Sequence, residues 1–170
     1  MATAIRNPRG VTDLLVGAAR SGVIPGLLLG VGLGGLVDGI VLHQILQWHH
    51  MLTAVDEYPS GTVRGLEVNT LWDGVFHVFA FVFTVAGVLI LWRAPARPAR
   101  QLWSDLVGPM LIGWGLFNVV EGVVDHFLLG IHHVRDDVGE PLPWDVGFLL
   151  AGLALVAGGW LVHRRQDRVR

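Results

Sequence analysis

The sequence predicts an all-α integral membrane protein, a four-helix bundle built from two parallel helical-hairpin repeats. Three observations lead to this fold class. The composition is 52% hydrophobic and only 15% charged over 170 residues, whereas soluble domains carry about a quarter charged residues. Four segments are long and apolar enough to cross a bilayer. Two of these segments end in nearly the same arrangement of acids and histidines.

Each of the four predicted spans approaches or exceeds the roughly 20 apolar residues that a helix needs to cross the hydrocarbon core. The spans cover residues 23–51, 71–92, 106–131 and 144–162. The first and third are longer than necessary, so we expect them to tilt or to extend past the bilayer. We interpret residues 1–170 as a single membrane domain, with repeat one at 22–93, a cytoplasmic connector at 94–104 and repeat two at 105–163.

The arginines predict the direction of the spans, because positively charged residues concentrate in cytoplasmic loops. Ten of the twelve arginines lie before the first span, between the second and third spans, or after the fourth. The other two loops contain only Arg64 and Arg135, together with six acids. We therefore expect a multi-pass protein of the inner or plasma membrane, with both termini in the cytoplasm and both acidic loops outside.

Composition also narrows the choice of partners. The chain has no cysteine, which excludes disulfides and thiolate metal sites. The net charge is −2 and no basic run stands out, so nucleic acid is not an expected partner. The lipid bilayer is the expected partner. A homo-oligomer and a respiratory-chain partner are left open.

Two stretches of the chain nearly repeat each other: "DGIVLHQILQWHH" at residues 38–50 and "EGVVDHFLLGIHH" at residues 121–133. Their alignment pairs the opening acids, the central histidines His43 and His126, and the two final histidines. Three histidines and one acid at identical offsets favour a duplication over chance. The second and fourth spans align more weakly, through "LWD" and "PWD". In an up-and-down bundle, the first and third spans would lie diagonally and turn His43 towards His126.

Eleven ionisable side chains are the candidate metal ligands. An α-helix turns about 100° per residue, so His43 and His50, seven residues apart, point in nearly the same direction. The candidates fall in the outward halves of their spans or, for His132 and His133, just beyond the third span. Burial within a span costs roughly 2.5–3.5 kcal/mol for each charged group. Such a cluster indicates a function. The candidates are His43, His49, His50, His77, His126, His132, His133, Asp38, Asp73, Glu121 and Asp125.

Structural explanations compete with a site. Histidines in membranes often only link helices by hydrogen bonds. Asp73 and Asp145 each follow a tryptophan and begin their predicted spans, so helix capping explains either one equally well. Gly26, Gly30 and Gly34 are spaced by four residues, which predicts a face of close helix packing.

The interpretation we favour from the sequence is a transition-metal site. Imidazole and carboxylate ligands suit zinc, copper and iron. The candidates exceed what one tetrahedral ion needs, so a dinuclear, redox-active site and a metal-dependent membrane oxidoreductase are left open. The H-x5-H-H pattern resembles in kind the histidine boxes of membrane di-iron desaturases and hydroxylases, which are spaced more tightly and face the cytoplasm. Asp73 and His77 resemble a copper-binding pair of membrane methane oxidase subunits.

Two alternative functions remain open at this point. His43 and His126 could hold one haem b by two axial bonds, as in an electron-transfer protein, although the many nearby acids favour a cation over a porphyrin. Acid and histidine chains also serve as relays in ion or proton transporters. The inner halves of the spans are almost purely apolar, so the sequence shows no polar path to the cytoplasm.

Nearly the whole chain resembles a known family. The stretches "DGIVLHQILQWHHM", "LWDGVFH" and "DHFLLGIHH" look like those of four-span prokaryotic membrane proteins catalogued as a domain of unknown function. The resemblance implies a four-helix membrane protein. It implies no particular activity.

Overall fold

The computed structural model describes residue 17 and residues 22–96 and 98–169, with side chains described up to residue 165. Its four long helices are α1 (Val23–Val37, continued by a π-helical segment, Asp38–Ile45), α2 (Val63–Arg93), α3 (Ala99–Glu121, continued by a π-helical segment, Gly122–Leu128) and α4 (Leu142–Val169). All four are long and apolar enough to cross a membrane, which confirms the predicted fold class. Several arginines behind the predicted topology lie outside the described residues: Arg6, Arg9, Arg20, Arg97 and Arg170.

Local sequence explains where α2 begins and ends. The Thr62 hydroxyl accepts a hydrogen bond from the Gly65 N–H at 3.1 Å and caps the helix, as threonine commonly does. Ala94 ends the helix in extended backbone, with ψ at 150°, because a residue that precedes a proline avoids the helical region. The helix thus starts eight residues before the predicted span. Asp73 lies well inside it, so the capping explanation for Asp73 is wrong.

Helices α1 and α3 both widen into π-helix before they end. Leu46 N–H donates to the Val41 carbonyl at 2.8 Å, and Leu129 N–H donates to the Val124 carbonyl at 2.8 Å, each reaching back five residues. Short π-helical stretches are rare and are frequently found at functional sites. Here they bring residues five positions apart onto one face, whereas an α-helix would set them about 140° apart.

Left-handed residues then turn the chain out of both helices. Gln47 has φ at 51° and Gly130 has φ at 59°, a conformation that stops a helix. Gly130 adopts it freely, whereas Gln47 does so at a steric cost. The histidine pairs at 49–50 and 132–133 therefore lie in loops. The prediction that they extend the polar faces of the first and third spans is wrong.

The helices pack in a row, in the order α2, α1, α3, α4. The main pairings are α1 with α2, α1 with α3, and α3 with α4. The first and third spans thus pack directly against each other at the centre, and the predicted diagonal arrangement is wrong. The outer helices α2 and α4 have far less of their apolar surface covered, so they present it to the surrounding lipid.

Glycines permit α1 to pack closely against both of its neighbours, α3 and α2. A β-carbon on Gly30 would collide with the carbonyl oxygen of Met110 on α3, and one on Gly32 would collide with the Thr84 hydroxyl on α2. Small residues let helix backbones approach closely in membranes. The predicted packing face of Gly26, Gly30 and Gly34 is confirmed, because all three lie against α3.

Residues 46–62 and 129–141 connect the helices at one end of the bundle, which we call the loop end. The two loops cross there: Ala54 N–H donates to the Ile131 carbonyl at 3.0 Å, and Asp136 N–H donates to the Trp48 carbonyl at 3.1 Å. The crossing holds histidines from both halves of the chain side by side.

Candidate metal centre

Four buried imidazole rings form a row across the middle of the loop end. The ring centroids of His43 and His49 are 4.4 Å apart, those of His49 and His132 are 4.7 Å apart, and those of His132 and His126 are 5.0 Å apart. Each of the four side chains is at most 4% exposed. The outer rings come from the π-helical segments and the inner rings come from the loops.

The two inner rings are each fixed by the loop of the opposite half. His49 Nδ1 lies 2.9 Å from the Val134 carbonyl oxygen, and His132 Nδ1 lies 3.2 Å from the Met51 carbonyl oxygen. A carbonyl oxygen can only accept, so Nδ1 carries the proton in both rings. The Nε2 atom of each neutral ring therefore keeps a free lone pair, as a metal ligand requires.

Asp73 organises the first half of the site from α2. Its carboxylate accepts hydrogen bonds from His43 Nδ1 at 2.9 Å, His50 Nδ1 at 2.6 Å and the Met51 N–H at 3.0 Å. Both oxygens of this buried carboxylate are thus engaged. Asp73 therefore orients His43 and His50 through their Nδ1 atoms, and its hydrogen bond to His43 does not involve Nε2.

Asp145 does the same in the second half, from the first turn of α4. Its carboxylate accepts from His133 Nδ1 at 2.7 Å and from the Val134 N–H at 2.9 Å, and it lies 3.2 Å from His126 Nδ1. The last distance is within range of an ion pair but lacks hydrogen-bond geometry. Sequence reasoning left Asp145 out of the candidate ligands. The alignment of "PWD" with "LWD" was the signal that could have assigned it a role like that of Asp73.

Two further carboxylates lie beside the row of rings. Asp38 Oδ2 is 3.2 Å from His43 Nε2, and Glu121 Oε1 is 3.6 Å from His132 Nε2. Neither contact meets the criteria of a hydrogen bond, since His43 Nε2 and His132 Nε2 have no such partner among the described residues. Asp38 and Glu121 are 5% and 6% exposed. They begin or immediately precede the π-helical segments, and the π geometry brings Asp38 onto the face of His43.

Two groups of these residues could hold a metal ion. One consists of Asp38, His43 and His49, and the other of His49, Glu121 and His132; within each group, the ligand atoms lie within 4.8 Å of one another. The groups share His49. His126 belongs to neither, although its ring stands next to that of His132. The structure thus brings together five of the eleven predicted ligands, with His126 alongside.

The other five predicted ligands lie outside these groups. His50 and His133 bind the second oxygens of Asp73 and Asp145. His77 Nδ1 lies 2.7 Å from the carbonyl oxygen of Asp73, one turn back on its own helix. Asp125 is half-buried near Glu121 and belongs to neither group. Asp73 is the fifth of these residues. All five surround the centre and do not line it.

Burial keeps the two inner histidines neutral. Desolvation is the largest cause that lowers the pKa of His49 well below its usual value, and it is reinforced by the neighbouring imidazoles. The same causes lower the pKa of His132 to about 3. A neutral imidazole is the form that binds a metal ion.

Sequence reasoning missed the side chains that shape the loops. Asn69 is fully buried in α2; its Oδ1 accepts from the Leu52 N–H at 2.8 Å, and its Nδ2 donates to the Tyr58 carbonyl at 2.9 Å. The Thr53 hydroxyl accepts a hydrogen bond from the backbone N–H of His50, and the Asp136 carboxylate accepts one from the backbone N–H of His133. A single asparagine or threonine among apolar residues gives no pattern that would identify these roles.

A cavity of about 330 Å³ lies at the loop end beside the centre. His49 and His50 form part of its wall, and so do Asp136 and Asp137. Burial raises the pKa of Asp136 to about 6, whereas the Arg135 guanidinium lowers that of Asp137. The cavity therefore presents acidic groups next to one of the inner histidines.

The chain was compared with known proteins. Residues 25–166 match the family described as "Predicted membrane protein (DUF2243)". Neither a curated protein nor a solved structure matches.

Proposed function

The chain belongs to the DUF2243 family of predicted membrane proteins, and we propose that its loop end holds a transition-metal ion. In this proposal the protein is an integral membrane metalloprotein. Nε2 of His49, which both groups share, supplies the central ligand, and either His132 with Glu121 or His43 with Asp38 completes the set.

One observation carries the proposal: buried ligand atoms without hydrogen-bond partners lie close together in two groups that share His49. Among the described residues, no partner exists for Asp38 Oδ1 and Oδ2, Glu121 Oε2, or Nε2 of His43, His49 and His132. An unpaired buried carboxylate costs several kcal/mol. The contacts of Asp38 with His43 at 3.2 Å and of Glu121 with His132 at 3.6 Å offset part of that cost. A divalent cation bound to either group would offset more of it for the acid of that group.

The surroundings of the ligands support the same conclusion. Metal-bound histidines usually donate their other N–H to a carboxylate or a backbone carbonyl, which fixes the ring and its tautomer. His43 is held in this way by Asp73, His49 by Val134 and His132 by Met51. Histidines that only linked helices by hydrogen bonds would not leave Nε2 of both His49 and His132 without such a partner among the described residues.

The ligand set suggests which ions fit. His49, His132 and Glu121 supply two imidazoles and one carboxylate, a set that binds non-haem Fe²⁺ and catalytic Zn²⁺ with open positions. Cu²⁺ remains a candidate, since imidazole suits it as well. His49 offers one free nitrogen, so both groups cannot use it at once. We therefore favour one ion near His49 over two.

The predicted topology and the 330 Å³ cavity suggest how the ion arrives. The distribution of arginines predicts that the loop end faces outward. His49, Asp136 and Asp137 line the cavity together. Acidic groups in a cavity attract cations, so this cavity is our candidate for the ion's path from the extracytoplasmic side.

Haem and transport are less well supported. The row of rings between His43 and His126 contains His49 and His132, which occupy the space that a porphyrin between two axial ligands would need. A transport path would need polar groups towards the other end of the bundle. The buried polar side chains cluster at the loop end, with Asp105 and Asn118 as the exceptions among the described residues.

Elemental analysis of the purified protein, with an absorption spectrum of the same sample, tests the proposal. We expect a transition metal in a fixed ratio to protein and no Soret band. A Soret band would instead favour haem. Absence of any bound transition metal, even after incubation with Zn²⁺, Cu²⁺ or Fe²⁺, would contradict the proposal and leave the histidines as structural groups.

A further inference from the structure

A groove of about 300 Å³ opens on one side of the bundle, between α2 and α3. Phe76 and Phe79 of α2 form one wall, and Leu116, Val120 and other apolar residues of α3 form the opposite one. These residues lie within membrane-length helices. Val120 is 60% exposed, so the groove faces the hydrocarbon core of the bilayer.

Two carboxylic acids stand among these apolar walls. Glu121 and Asp125 both line the groove. Glu121 is also one of the candidate metal ligands, with Oε1 3.6 Å from His132 Nε2. Its Oε2 is buried and has no hydrogen-bond partner among the described residues. Glu121 thus joins a lipid-facing groove to the buried centre.

The repeat does not account for the groove, because the two halves of the chain differ at residues that line it. In the alignment of the two halves, Trp114 takes the place of Val31, which lines the groove, and Leu42 takes the place of Asp125. Trp114 packs against Gly34 between α1 and α3. Asp125, the second acid, therefore has no counterpart in the first half of the chain, and it lines the groove.

We propose that this groove binds a membrane-dissolved phenol or quinol, with its apolar part between α2 and α3 and its hydroxyl group at Glu121. This adds to the proposed function the class of molecule that would reach the metal centre. It rests on the proposed function only for what the bound molecule does at that centre. The groove itself requires no ion.

Charge and burial select this class. Two carboxylates accept hydrogen bonds, so they favour a head group that donates one. An anionic head such as a fatty-acid carboxylate has no hydrogen-bond donor to offer to these oxygens. A wholly apolar molecule would leave Glu121 Oε2 unpaired. A neutral aromatic hydroxyl satisfies the acid, and its ring suits walls lined by Phe76 and Phe79.

Three probes that differ only in the head group test the proposal: 4-decylphenol, 4-decylbenzoate and decylbenzene. Their equilibrium binding to the protein in nanodiscs is measured against empty nanodiscs of the same lipid. We expect saturable binding of the phenol, at least about tenfold tighter than that of the other two, since an unmet buried polar group costs about 1–3 kcal/mol. Equal partition of all three probes, or preference for the benzoate, would overturn the proposal.

Variants locate the binding. Val120→Phe fills the groove, and Val37→Phe makes the same change at the aligned position of α1, outside the groove. We expect only the former to abolish saturable phenol binding. Asp125→Asn changes no volume and should allow the benzoate to bind more tightly than in the wild type. Thermal melting of each variant verifies that it is folded.

The same titrations, run on metal-free and metal-loaded protein, separate this proposal from the proposed function. Phenol binding without any metal uptake would reject the metal centre and keep the groove. Metal uptake without saturable phenol binding would keep the centre and reject the groove.

Discussion

The rings of His49 and His132 lie parallel, with centroids 4.7 Å apart and planes 2° apart. Each ring is fixed by a carbonyl group of the other half of the chain. Both Nε2 atoms are without a hydrogen-bond partner among the described residues, so in the proposed metal centre these two neutral imidazoles would be held in place before an ion binds.

Asp73→Asn should weaken metal binding by about 10–100-fold, the usual effect of removing a carboxylate that orients ligand histidines. Asp73 uses both carboxylate oxygens to accept from His43, His50 and the Met51 N–H. Asparagine has only one oxygen and cannot accept all of these hydrogen bonds. Competition with a chromophoric chelator measures the affinity. Glu67→Gln, the same type of change at an exposed carboxylate of α2, is the matched control and should leave it unaltered. An unchanged affinity in Asp73→Asn would contradict the claim that this carboxylate orients the ligand histidines.

Metal-free protein should lose stability as the pH falls below about 6.5. Burial lowers the pKa of His49 and His132 in the folded state, so the unfolded state takes up protons first. Full stability is present above the unfolded pKa of about 6.5 and decreases by up to about 1.4 kcal/mol per pH unit for His132, down to its folded pKa of about 3.

Melting temperatures of the wild type and of His132→Gln between pH 7 and pH 4 measure this loss. Asp136, whose pKa is raised to about 6, acts in the opposite sense, because it contributes stability at low pH that is lost as the pH rises from about 4 to 6. The difference between the two proteins isolates His132. We expect a shallower pH dependence in His132→Gln, and parallel curves would show that His132 is not buried in its neutral form.

His43 and His126 should differ in their effect on metal content. They are equivalent in the aligned sequence, which predicts similar losses for two ligands of one centre. In the structure, however, His43 belongs to a three-residue group and His126 belongs to none. We therefore expect His43→Ala to release more metal than His126→Ala, measured as metal-to-protein ratio. Equal losses, with two ions per wild-type chain, would instead support a symmetric pair of ions.

The arginines alone predict the orientation in the membrane. A reporter placed in residues 56–62, at the loop end, should be accessible from the extracytoplasmic side. Cysteine labelling provides a clean measurement, because the natural chain has no cysteine. A matched cysteine in residues 94–96, between α2 and α3, should be labelled only after the membrane is permeabilised. The reverse pattern would place the centre on the cytoplasmic side.

The sequence was sufficient to predict four membrane helices, since length and hydropathy alone decide that. It was not sufficient to predict where α1 and α3 end. A helical projection assumes that the polar pattern continues in one α-helix, but Gln47 and Gly130 turn the chain out of the helix, and glutamine gives little warning of a left-handed residue. The histidines after these turns reach the centre from loops, so the arrangement of the site depended on backbone geometry that residue spacing does not encode.

The choice of ligands was limited in the same way. Spacing can identify polar residues near one end of a bundle, but it cannot separate a residue that faces the centre from one that orients its neighbour. Asp73 and Asp38 look alike in the sequence, yet the oxygens of Asp73 bind histidine and backbone N–H groups and those of Asp38 have no hydrogen-bond partner among the described residues.

The metal-to-protein ratio of the double variant His49→Gln with His132→Gln tests the central claim most directly. Both substitutions keep a polar side chain of similar size but remove the two Nε2 ligands. His77→Gln is the control, because His77 is a half-buried histidine of α2 that lies outside both groups. The account predicts that the control retains the metal content of the wild type and that the double variant loses nearly all of it. Full metal content in the folded double variant would contradict the account.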